Sequence, residues 1–446
     1  MHIIVIGAGE VGSHIVETLV LGGHDVVLIE RDIERAANAR DRLDALVLDG
    51  NGASPDVLAA AGIERAALLV AVTDNDDSNL IACLAGRSMT SRDKLRTVAR
   101  VRDRSYFRGR SAVMHGALGI DLVISPDRTT ANDIADALEL PGAVTVEPFA
   151  GGKLVVGEVI VHADSPALGR SFLELRETGH VVAGFTRGGK LSIAYDESTV
   201  EAGDHLFVLS PRSEAARTVG YLAGTTNKVK RVMIVGATEI GMHLSRRLAR
   251  TGRAVTLVES QRARAVAAAE RSDDVLVLRA EGTDRETLVE EGIADIDAFV
   301  ACTEDDGDNL LAALTARQLG ARTAFALVSR SDYLALVDAM SVDAAFSPRM
   351  HTADAILRFV RRGEVERLHQ FVGGAEMIEL RAAPECAATR GALRELKLPR
   401  DCIVSAIVRG DDIVYPRGND TVEVGDRVVV LAQPGAIASV ERLFQA

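Results

Sequence analysis

Short apolar runs alternate with mixed, helix-length stretches along most of this chain. An apolar run at Ile3 to Ile6 is typical of a strand buried on both faces of a parallel sheet. A helix is predicted over Val11 to Leu21, ended by Gly22-Gly23, and a second strand over Asp25 to Ile29. Four more strands alternate with helices as far as Asp121 to Ile124. This pattern predicts an α/β fold with a doubly wound parallel sheet of the Rossmann type.

The pattern of the first half returns in the second half. Gly236 and Glu259 each lie 229 residues after their counterparts, Gly7 and Glu30. After each sheet come short strands and glycine-rich turns, which close on Glu-x-Gly-Asp and one more strand and predict a small α+β module. The chain is therefore a tandem duplication of a two-domain unit. The four predicted domains alternate between a Rossmann sheet and a small α+β module, over residues 1–125, 143–224, 229–348 and 366–446.

The residues between the first strand and the first helix have the spacing of a dinucleotide-binding loop. In the sequence G-x-G-x-x-G, Gly7 allows a tight turn, Gly9 lets a pyrophosphate approach the backbone, and Gly12 lets helix and strand pack closely. Glu30 lies 18 residues after Gly12, where an acid accepts hydrogen bonds from ribose hydroxyls. We predict a nucleotide site here, and the alternative is a loop that keeps its glycines for packing alone.

Further polar residues end the neighbouring strands at the edge where ligands bind in open α/β sheets. They include Asp49 to Asn51 and Thr73 to Asn75. Arg100 and Arg102 end the fifth strand two residues apart, so they share one face and could reach a phosphate chain. The alternative, a solvated basic edge, is our interpretation for most of the nine basic side chains of residues 87–110. The acids of residues 73–77 could bind magnesium, although a helix cap is the simpler interpretation.

The second copy of the loop lacks two of these features. Thr238 replaces the middle glycine, so a Cβ atom lies where a pyrophosphate would approach. Phe325 to Val328 aligns with Ala99 to Arg102, so the arginine pair is missing. The second site then either binds a less charged nucleotide or is structural, and the first site is the sensor.

Composition and charge exclude several classes of protein. The length of 446 residues predicts three or four domains, and the net charge of −13 argues against general nucleic-acid binding. No apolar run is long enough to span a bilayer, and the first strand begins almost at Met1, so we expect a cytoplasmic protein without a signal peptide. The four cysteines are scattered, which predicts reduced thiols rather than a disulfide framework or a metal site.

No set of residues in the sequence has the pattern of a catalytic site. A dehydrogenase of this fold needs a proton-transfer group beside the nicotinamide, but the ten histidines are scattered. The G-x-x-x-x-G-K-[ST] loop of an ATP hydrolase is absent. Nucleotide binding without a catalytic residue indicates a sensor. The alternatives are an NAD-dependent oxidoreductase with a duplicated fold and an assembly module with a vestigial site.

Several motifs of the chain form one set, and the set occurs in a duplicated unit. The glycine loop and Glu30 are joined by V-T-D-x-D-x-x-N at Val72 to Asn79, by R-V-R at Arg100 to Arg102 and by the E-x-G-D of the small module. The set resembles domains that regulate potassium conductance, in the tandem form of the peripheral regulatory subunit of Trk potassium-uptake systems. The resemblance implies a homo-oligomeric, tetrameric ring on the cytoplasmic face of a potassium-translocating membrane subunit, whose gate it biases.

The same resemblance implies a ligand and its contacts. The first Rossmann domain would bind NAD(H), with ATP or ADP as alternative or additional ligands, and Glu30 would repel the 2′-phosphate of NADP. The candidate contacts there are Gly7, Ala8, Gly9, Glu10, Val11, Gly12, Glu30, Asp49, Asn51, Thr73, Asp74, Asn79, Arg100 and Arg102. In the second Rossmann domain they are Gly236, Ala237, Thr238, Glu239, Ile240, Gly241 and Glu259. The crossing helix, Thr129 to Leu140, is implied to be a hinge, with Pro141-Gly142 as its pivot.

Overall fold

The fold is that of a computed structural model, which describes residues 1–90, 95–107, 118–140, 142–194, 198–224, 228–330, 333, 340, 342–360, 367–370, 376–399, 401–433 and 435–445. Pro141, residue 366 and the basic residues Arg92, Lys94, Arg108 and Arg110 lie outside this part. The described residues form four sheets. The chain divides into two compact units, residues 1–129 with 348–360, and residues 130–347 with 361–446.

The first unit is built on a parallel sheet of six strands in the order β3-β2-β1-β4-β5-β6. This order is that of a doubly wound Rossmann sheet, and the predicted doubly wound parallel sheet is confirmed. The strands are β1 (His2–Ile6), β2 (Asp25–Glu30), β3 (Leu46–Asp49), β4 (Leu68–Ala71), β5 (Arg96–Arg100) and β6 (Leu122–Ile124). The helices are α1 (Glu10–Leu21), α2 (Ile33–Arg42), α3 (Pro55–Ala60) and α4 (Asp76–Ser88), with 3₁₀ turns at Ile63–Arg65 and Arg104–Phe107. Both β1 and β4 are buried along their whole length, as expected from their apolar runs.

Two helices begin two or three residues earlier than the sequence pattern predicts. Helix α4 begins at Asp76 rather than near Ser78, because the side chain of Asn75 caps it by accepting from the amide of Ser78. Helix α5 (Pro126–Glu139) begins at Pro126 rather than at Thr129, since proline suits the first turn of a helix. From residue 130 onward α5 belongs to the second unit, where its apolar side chains join the core of the second parallel sheet.

The first small module is an antiparallel sheet with the strand order β10-β9-β11-β8-β7. Its elements are β7 (Ala143–Phe149), β8 (Leu154–Ile160), α6 (Phe172–Glu177), β9 (Val181–Arg187), β10 (Lys190–Ile193), β11 (His205–Pro211) and α7 (Ala215–Ala223), with a 3₁₀ turn at Ala150–Gly152. The glycine pair Gly188 and Gly189 forms the expected hairpin turn with positive φ. Strand β7 was not predicted. Helix α6 begins at Phe172 rather than Leu168, because Ser171 and Glu174 form a capping box there.

The second parallel sheet repeats the first one, with the order β14-β13-β12-β15-β16-β17. Its strands are β12 (Arg231–Val235), β13 (Ala254–Val258), β14 (Leu276–Leu278), β15 (Ala298–Ala301), β16 (Ala324–Leu327) and β17 (Ala344–Phe346). Its helices are α8 (Glu239–Arg250), α9 (Arg262–Glu270), α10 (Arg285–Glu290) and α11 (Asp306–Gln318), with a 3₁₀ turn at Ile293–Asp295. The next described helix, α12 (Pro348–Val360), belongs to the first unit, where it packs beside α1.

The register of β16 corrects the alignment of the two halves by one residue. Ala326 pairs with Ala301, as Ala99 pairs with Ala71 in the first sheet. The counterpart of Arg100 is therefore Leu327, rather than the alanine before it. The arginine pair is still missing from the second half, because Leu327 and Ser329 occupy the positions of Arg100 and Arg102.

The second small module has the same strand order as the first, β18-β19-β22-β20-β21. Its elements are β18 (Arg367–Gln370), β19 (Glu376–Arg381), β20 (Cys402–Arg409), β21 (Asp412–Val414), β22 (Arg427–Ala432) and α13 (Ile437–Phe444), with 3₁₀ turns at Ala387–Thr389 and Leu393–Glu395. Side chains of both small sheets, among them Phe149, Phe207, Met377 and Leu431, share one buried core. All four cysteines are unpaired. Among the described residues, no helix combines the length and the apolar character needed to cross a membrane.

Candidate functional site

A cavity of about 720 Å³ lies at the carboxyl edge of the first sheet. Its volume is within the range of small-molecule and cofactor sites, roughly 300–1,000 Å³. The structure brings most of the residues singled out from the sequence to its wall. The lining from those segments is Gly7, Ala8, Gly9, Glu10, Val11, Glu30, Asn51, Thr73, Asp74, Arg100 and Arg102.

The three glycines of the loop have three different environments. Gly7 has φ +106° and lies against the backbone of Thr73, so a side chain there would be strained and crowded. A Cβ atom added to Gly9 would have nothing within 4 Å, which leaves the loop open to a ligand. A Cβ atom on Gly12 would lie 1.8 Å from the carbonyl oxygen of Gly7, and Gly12 does not line the cavity. Gly12 therefore serves helix–strand packing, whereas Gly9 is the open position where α1 presents its first amides.

Glu30 fixes a carboxylate beside this loop. The residue is 9% exposed, and its two oxygens accept from the amides of Ala8 at 2.6 Å and Asp32 at 2.9 Å. Each carboxylate oxygen has a second lone pair, so both can accept another hydrogen bond. Glu30 is thus held where a ribose hydroxyl could donate to it, and it also fastens the glycine loop to the end of β2.

Arg100 places a guanidinium in the cavity wall with few partners. The residue is 5% exposed, and its Nη1 donates to the carbonyl of Val72 at 3.4 Å and to Asp74 at 3.2 Å. Its buried Nε has no hydrogen-bond partner within the described part of the chain. Burial lowers the pKa of Arg100, and the positive charge of Arg102 lowers it further. A buried guanidinium with unfilled donors and a cationic neighbour is a favourable site for an anion.

Asn79 supports Arg100 rather than facing the cavity. Its Oδ1 accepts from the amide and the hydroxyl of Thr73, at 3.0 and 2.7 Å. Its Nδ2 donates to the carbonyls of Thr73 and Arg100, at 3.0 and 2.9 Å. Because the buried amide group uses all four hydrogen bonds within the protein, Asn79 has none to offer a ligand. The predicted direct contact is corrected to a supporting position.

The acidic stretch after β4 also has structural partners. Asp76 accepts from the amides of Arg102 at 3.0 Å and Asp103 at 2.7 Å, and Asn75 caps α4. Asp49, which was predicted as a candidate contact, instead pairs with Arg40 at 2.7 Å and does not line the cavity. In the described part of the chain, no group of three or more His, Cys, Asp or Glu side chains is arranged to hold a metal ion.

Four arginines of the cavity wall were missed as candidate contacts, although Arg31 is conspicuous beside Glu30. Arg31, Arg35 and Arg42 follow β2 or lie on α2, and Arg349 lies on α12. The first three could have been predicted from the sequence. They follow the end of β2, at the edge of the sheet where ligands bind, and their spacing places them on one face of a helix. Arg349 gave no such signal, because it is distant in sequence from every other residue of the wall.

The second Rossmann domain repeats the structural contacts of the first. Glu259 accepts from the amides of Ala237 and Gln261, both at 2.8 Å. Asn309 donates to the carbonyl of Leu327 at 3.0 Å, as Asn79 does to that of Arg100. A Cβ atom on Gly241 would lie 2.1 Å from the carbonyl oxygen of Gly236, so the last glycine of this loop is again a packing residue.

The ligand-facing features of the first domain are not repeated. Thr238 turns its hydroxyl back into the protein, where it donates to the carbonyl of Cys302 at 2.8 Å and accepts from the amide of Gly241 at 3.2 Å. It therefore caps α8, whereas the equivalent Gly9 makes no side-chain cap. Leu327 is buried and brings no charge to the place of Arg100. Glu239 pairs with Arg271, and Ile240 is buried in the core.

Comparison with known proteins identifies the family. The TrkA-N domain model matches residues 3–126 and 232–348, and the TrkA-C domain model matches residues 377–445. The chain is 34% identical over 446 residues to the Trk system potassium uptake protein TrkA homolog of Archaeoglobus fulgidus, and covers 100% of both chains. It is 33% identical over 454 residues to the Trk system potassium uptake protein TrkA of Azorhizobium caulinodans, covering 100% of this chain and 99% of the relative.

Solved structures show the same fold. The structure described as "GsuK channel bound to NAD" superposes with a TM-score of 0.63 at 20% identity, covering 99% of this chain and 78% of that one. The crystal structure of the GsuK RCK domain superposes with a TM-score of 0.62, also at 20% identity, and covers 99% of this chain and 94% of that one. The tandem arrangement of Rossmann sheets and small modules is therefore shared with RCK domains, and the sequence relationship shows that the chain belongs to the TrkA family of Trk system potassium uptake proteins.

Proposed function

We propose that this chain is a nucleotide-sensing regulatory subunit that gates a potassium-translocating membrane protein and has no catalytic activity of its own. The sensor is the cavity of the first Rossmann sheet, and its ligand is NAD(H) or an adenine nucleotide. The chain acts as a homo-oligomer on the cytoplasmic face of the membrane. The names of its relatives support the potassium-uptake role, and one solved structure of the same fold is described as bound to NAD.

The observation that carries the proposal is the position of Arg100. Its guanidinium is buried in the cavity wall, and its Nε has no partner among the described residues. The open surface at Gly9 and the first amides of α1 border the same cavity. Phosphate oxygens would fill the unused donors of the arginine and meet the positive end of the helix. Glu30 would then accept from the ribose of the same nucleotide.

The contrast between the two halves supports assigning the sensor to the first one. In both halves, a glutamate holds the glycine loop and an asparagine holds the end of the fifth strand. In the first half alone, that strand ends in an arginine, Arg100. We propose that the second domain, with Thr238 and Leu327 at these places, serves the architecture and holds no polyphosphate.

The proposed gating is a coupling between nucleotide binding and the state of the membrane partner. A nucleotide changes the gate only if it binds one conformation of the regulatory chain better than the other. Couplings of this kind are about 1–3 kcal/mol, which corresponds to roughly 5- to 150-fold in affinity or opening. The signal would be the adenine nucleotide ratio or the NADH/NAD ratio.

Calorimetric titration of the full-length chain with NAD, NADH, ADP and ATP tests the sensor. We expect micromolar affinity for at least one of them and a loss of about tenfold or more in Arg100→Met, since a hydrogen bond to a charged group contributes about 1.5–3 kcal/mol. The matched pair Glu30→Gln and Glu259→Gln shows which half binds, because only the first change should lower the affinity. A wild-type chain that binds none of the four would refute the proposal.

Potassium flux tests the second part of the proposal. A Trk-type membrane protein in vesicles is assayed with and without this chain, in the presence of the nucleotide that binds. We expect the nucleotide to change the flux only when the chain is present, and Arg100→Met to remove that change. Continuous NADH oxidation by the purified chain would instead favour the oxidoreductase.

A further inference from the structure

Helix α12 follows the second sheet in the chain but packs against the first one. Leu357 is buried in the same core as Ile15 of α1. At the far end of α12, the guanidinium of Arg96 donates to the carbonyls of Phe359 at 3.1 Å and Val360 at 2.9 Å. Arg96 begins β5, so this end lies at the amino edge of the sheet. Helix α12 therefore spans the sheet from one edge to the other, and its first turn reaches the cavity.

Arg349, in the first turn of α12, belongs to the wall of the nucleotide cavity. It forms an ion pair with Glu10, the residue that follows Gly9 and opens α1. The two side chains remain 38% and 53% exposed. Ion pairs with this much access to water contribute little stability, so this pair can change partners at small cost.

A phosphate bound over the loop would alter this ion pair directly. The phosphate would lie next to the carboxylate of Glu10 and repel it, because both groups are anionic. The same phosphate would attract Arg349, whose guanidinium can form two parallel hydrogen bonds to phosphate oxygens. Binding of the anion thus favours transfer of the Arg349 guanidinium from Glu10 to the phosphate.

We propose that Arg349 exchanges Glu10 for the phosphates of a bound nucleotide, and that this exchange couples occupancy of the cavity to the docking of α12. The proposal rests on the proposed function, since it requires a phosphate-bearing ligand in the same cavity. Arg349 holds part of the ligand, so docking of α12 strengthens binding of the ligand. By linkage, binding of the ligand strengthens the docking of α12 by the same factor. The second half of the chain thereby receives the signal of the first half through a covalently attached helix.

The sequence of the other half shows that this arginine is specific to α12. Ser347-Pro348-Arg349 repeats Ser125-Pro126-Asp127, so the corresponding position of α5 carries an acid. In the second Rossmann domain, the counterpart of Glu10 is Glu239, which pairs with Arg271 from its own domain at 3.6 Å. In the first domain, by contrast, the loop acid pairs with an arginine from the opposite half of the sequence.

Affinity measurements on the full-length chain test the phosphate contact. We expect Arg349→Ala to weaken ADP binding about tenfold, since it loses a charge-assisted hydrogen bond. Glu10→Gln should raise the affinity, because the carboxylate that repels the phosphate and competes for Arg349 is gone. Arg271→Ala is the matched control, which removes an arginine from the equivalent glutamate of the second domain and should leave ADP binding unchanged. Thermal melting shows whether each variant is folded, and Arg349→Gln replaces Arg349→Ala if the latter is not.

Hydrogen exchange of residues 348–360 tests the coupling to α12. Adding ADP to the wild type should slow exchange in this helix, and the same addition to Arg349→Ala, at equal occupancy, should not. If Arg349→Ala binds ADP as tightly as the wild type, or if its helix gains the same protection, the proposal is wrong although the nucleotide site stands. If the wild type binds none of NAD, NADH, ADP and ATP, the proposed function itself fails.

Discussion

The side-chain amide of Asn79 holds the backbone of Arg100, with Nδ2 and the carbonyl oxygen 2.9 Å apart. The second domain repeats this bond between Asn309 and Leu327 at 3.0 Å. The asparagine therefore connects the start of the fourth helix to the end of the fifth strand whether or not that strand ends in an arginine. The bond belongs to the architecture of the sheet, and only the first domain adds a ligand-facing side chain to it.

Replacing Asn79 by alanine should weaken both the fold and the nucleotide site. The variant leaves the half-buried amide of Thr73 and the buried carbonyl of Arg100 without the bonds that Asn79 makes to them. An unpaired buried polar group costs about 1–3 kcal/mol. We expect Asn79→Ala to lower the free energy of unfolding by that amount in urea titrations. Nucleotide affinity should fall severalfold, because the strand end that carries the guanidinium is less firmly held.

The matched variant for this experiment is Asn309→Ala in the second domain. Its effect on the free energy of unfolding should be similar, since the same four hydrogen bonds are lost. Its nucleotide affinity should equal that of the wild type. Equal losses of affinity in Asn79→Ala and Asn309→Ala would contradict the assignment of binding to the first domain.

Gly9→Thr should convert the first loop into a copy of the second. Gly9 and Thr238 have nearly the same backbone angles, φ −71° and ψ 178° against φ −69° and ψ 172°, so threonine fits without strain. The new hydroxyl can cap α1 as Thr238 caps α8, and a threonine cap differs from glycine by only a few tenths of a kcal/mol. The free energy of unfolding should therefore hardly change. Calorimetry should show nucleotide affinity reduced at least about tenfold, because the added Cβ atom occupies the approach of the phosphates.

The reverse substitution, Thr238→Gly, is the control for Gly9→Thr. It removes the cap of α8, and we expect a loss of about 0.5 kcal/mol or less in the free energy of unfolding. Nucleotide affinity should not rise to that of the first site, because Leu327 still stands where Arg100 would be needed. If Gly9→Thr bound nucleotide as well as the wild type, the open space at Gly9 would have no role in binding.

The parallel sheets were predictable because their sequence signals are local. Apolar runs such as Ile3 to Ile6 predict the strands, and glycines such as Gly7 predict the turns. The alternation of strands with helices predicts a doubly wound parallel sheet. Strand β7 was missed since only Ala143 and Phe149 at its two ends are buried, and its central residues show no clear alternation. The alignment of the two halves was wrong by one residue at Leu327, because the spacing between motifs cannot detect a short deletion. The pairing of the strands shows that deletion directly.

The cavity wall contains residues next to strand ends, which the sequence predicts as contacts, and residues brought there by the tertiary fold, which it does not. Gly9, Glu30 and Arg100 follow strands at recognisable spacing. Arg349 reaches the cavity only because α12 packs on the first sheet, and no local pattern records that packing. Asn79 holds the end of β5 and does not line the cavity, and a sequence cannot show that its amide group is already fully bonded.

The E-x-G-D motif of the small modules has a structural role that can be tested. Asp204 is fully buried, and its carboxylate accepts from Nε and Nη2 of Arg187 at 2.7 and 2.8 Å and from the amide of Glu201 at 2.9 Å. Asp426 makes the same contacts with Arg409 in the second module. We expect Asp204→Asn to lower the free energy of unfolding by about 1–3 kcal/mol in urea titrations, and to leave nucleotide affinity unchanged.

Glu201→Gln is the comparison for this effect. Glu201 forms an exposed ion pair with the same arginine, and exposed pairs contribute about 0–1 kcal/mol, so the variant should be close to the wild type. A loss in Glu201→Gln as large as that in Asp204→Asn would show that net charge, rather than the buried two-bond contact, stabilises the module.

The stability of the first small module should fall as the pH drops from about 7.5 to 5.5, because of His180. The residue is 9% exposed and its ring stacks on Tyr221 with centroids 4.4 Å apart. Burial lowers the pKa of His180, the charges of Arg217 and Arg170 lower it further, and Glu214 opposes them. Because the folded pKa lies below the unfolded value of about 6.5, the unfolded chain binds the proton first and becomes favoured as the pH falls.

Urea midpoints measured across this pH range test the role of His180. His180→Phe keeps an aromatic ring for Tyr221 but cannot be protonated, so its midpoint should depend less on pH than that of the wild type. An unchanged slope in His180→Phe would assign the pH dependence to other groups and would mean that the buried ring is protonated as easily in the folded chain as in the unfolded one.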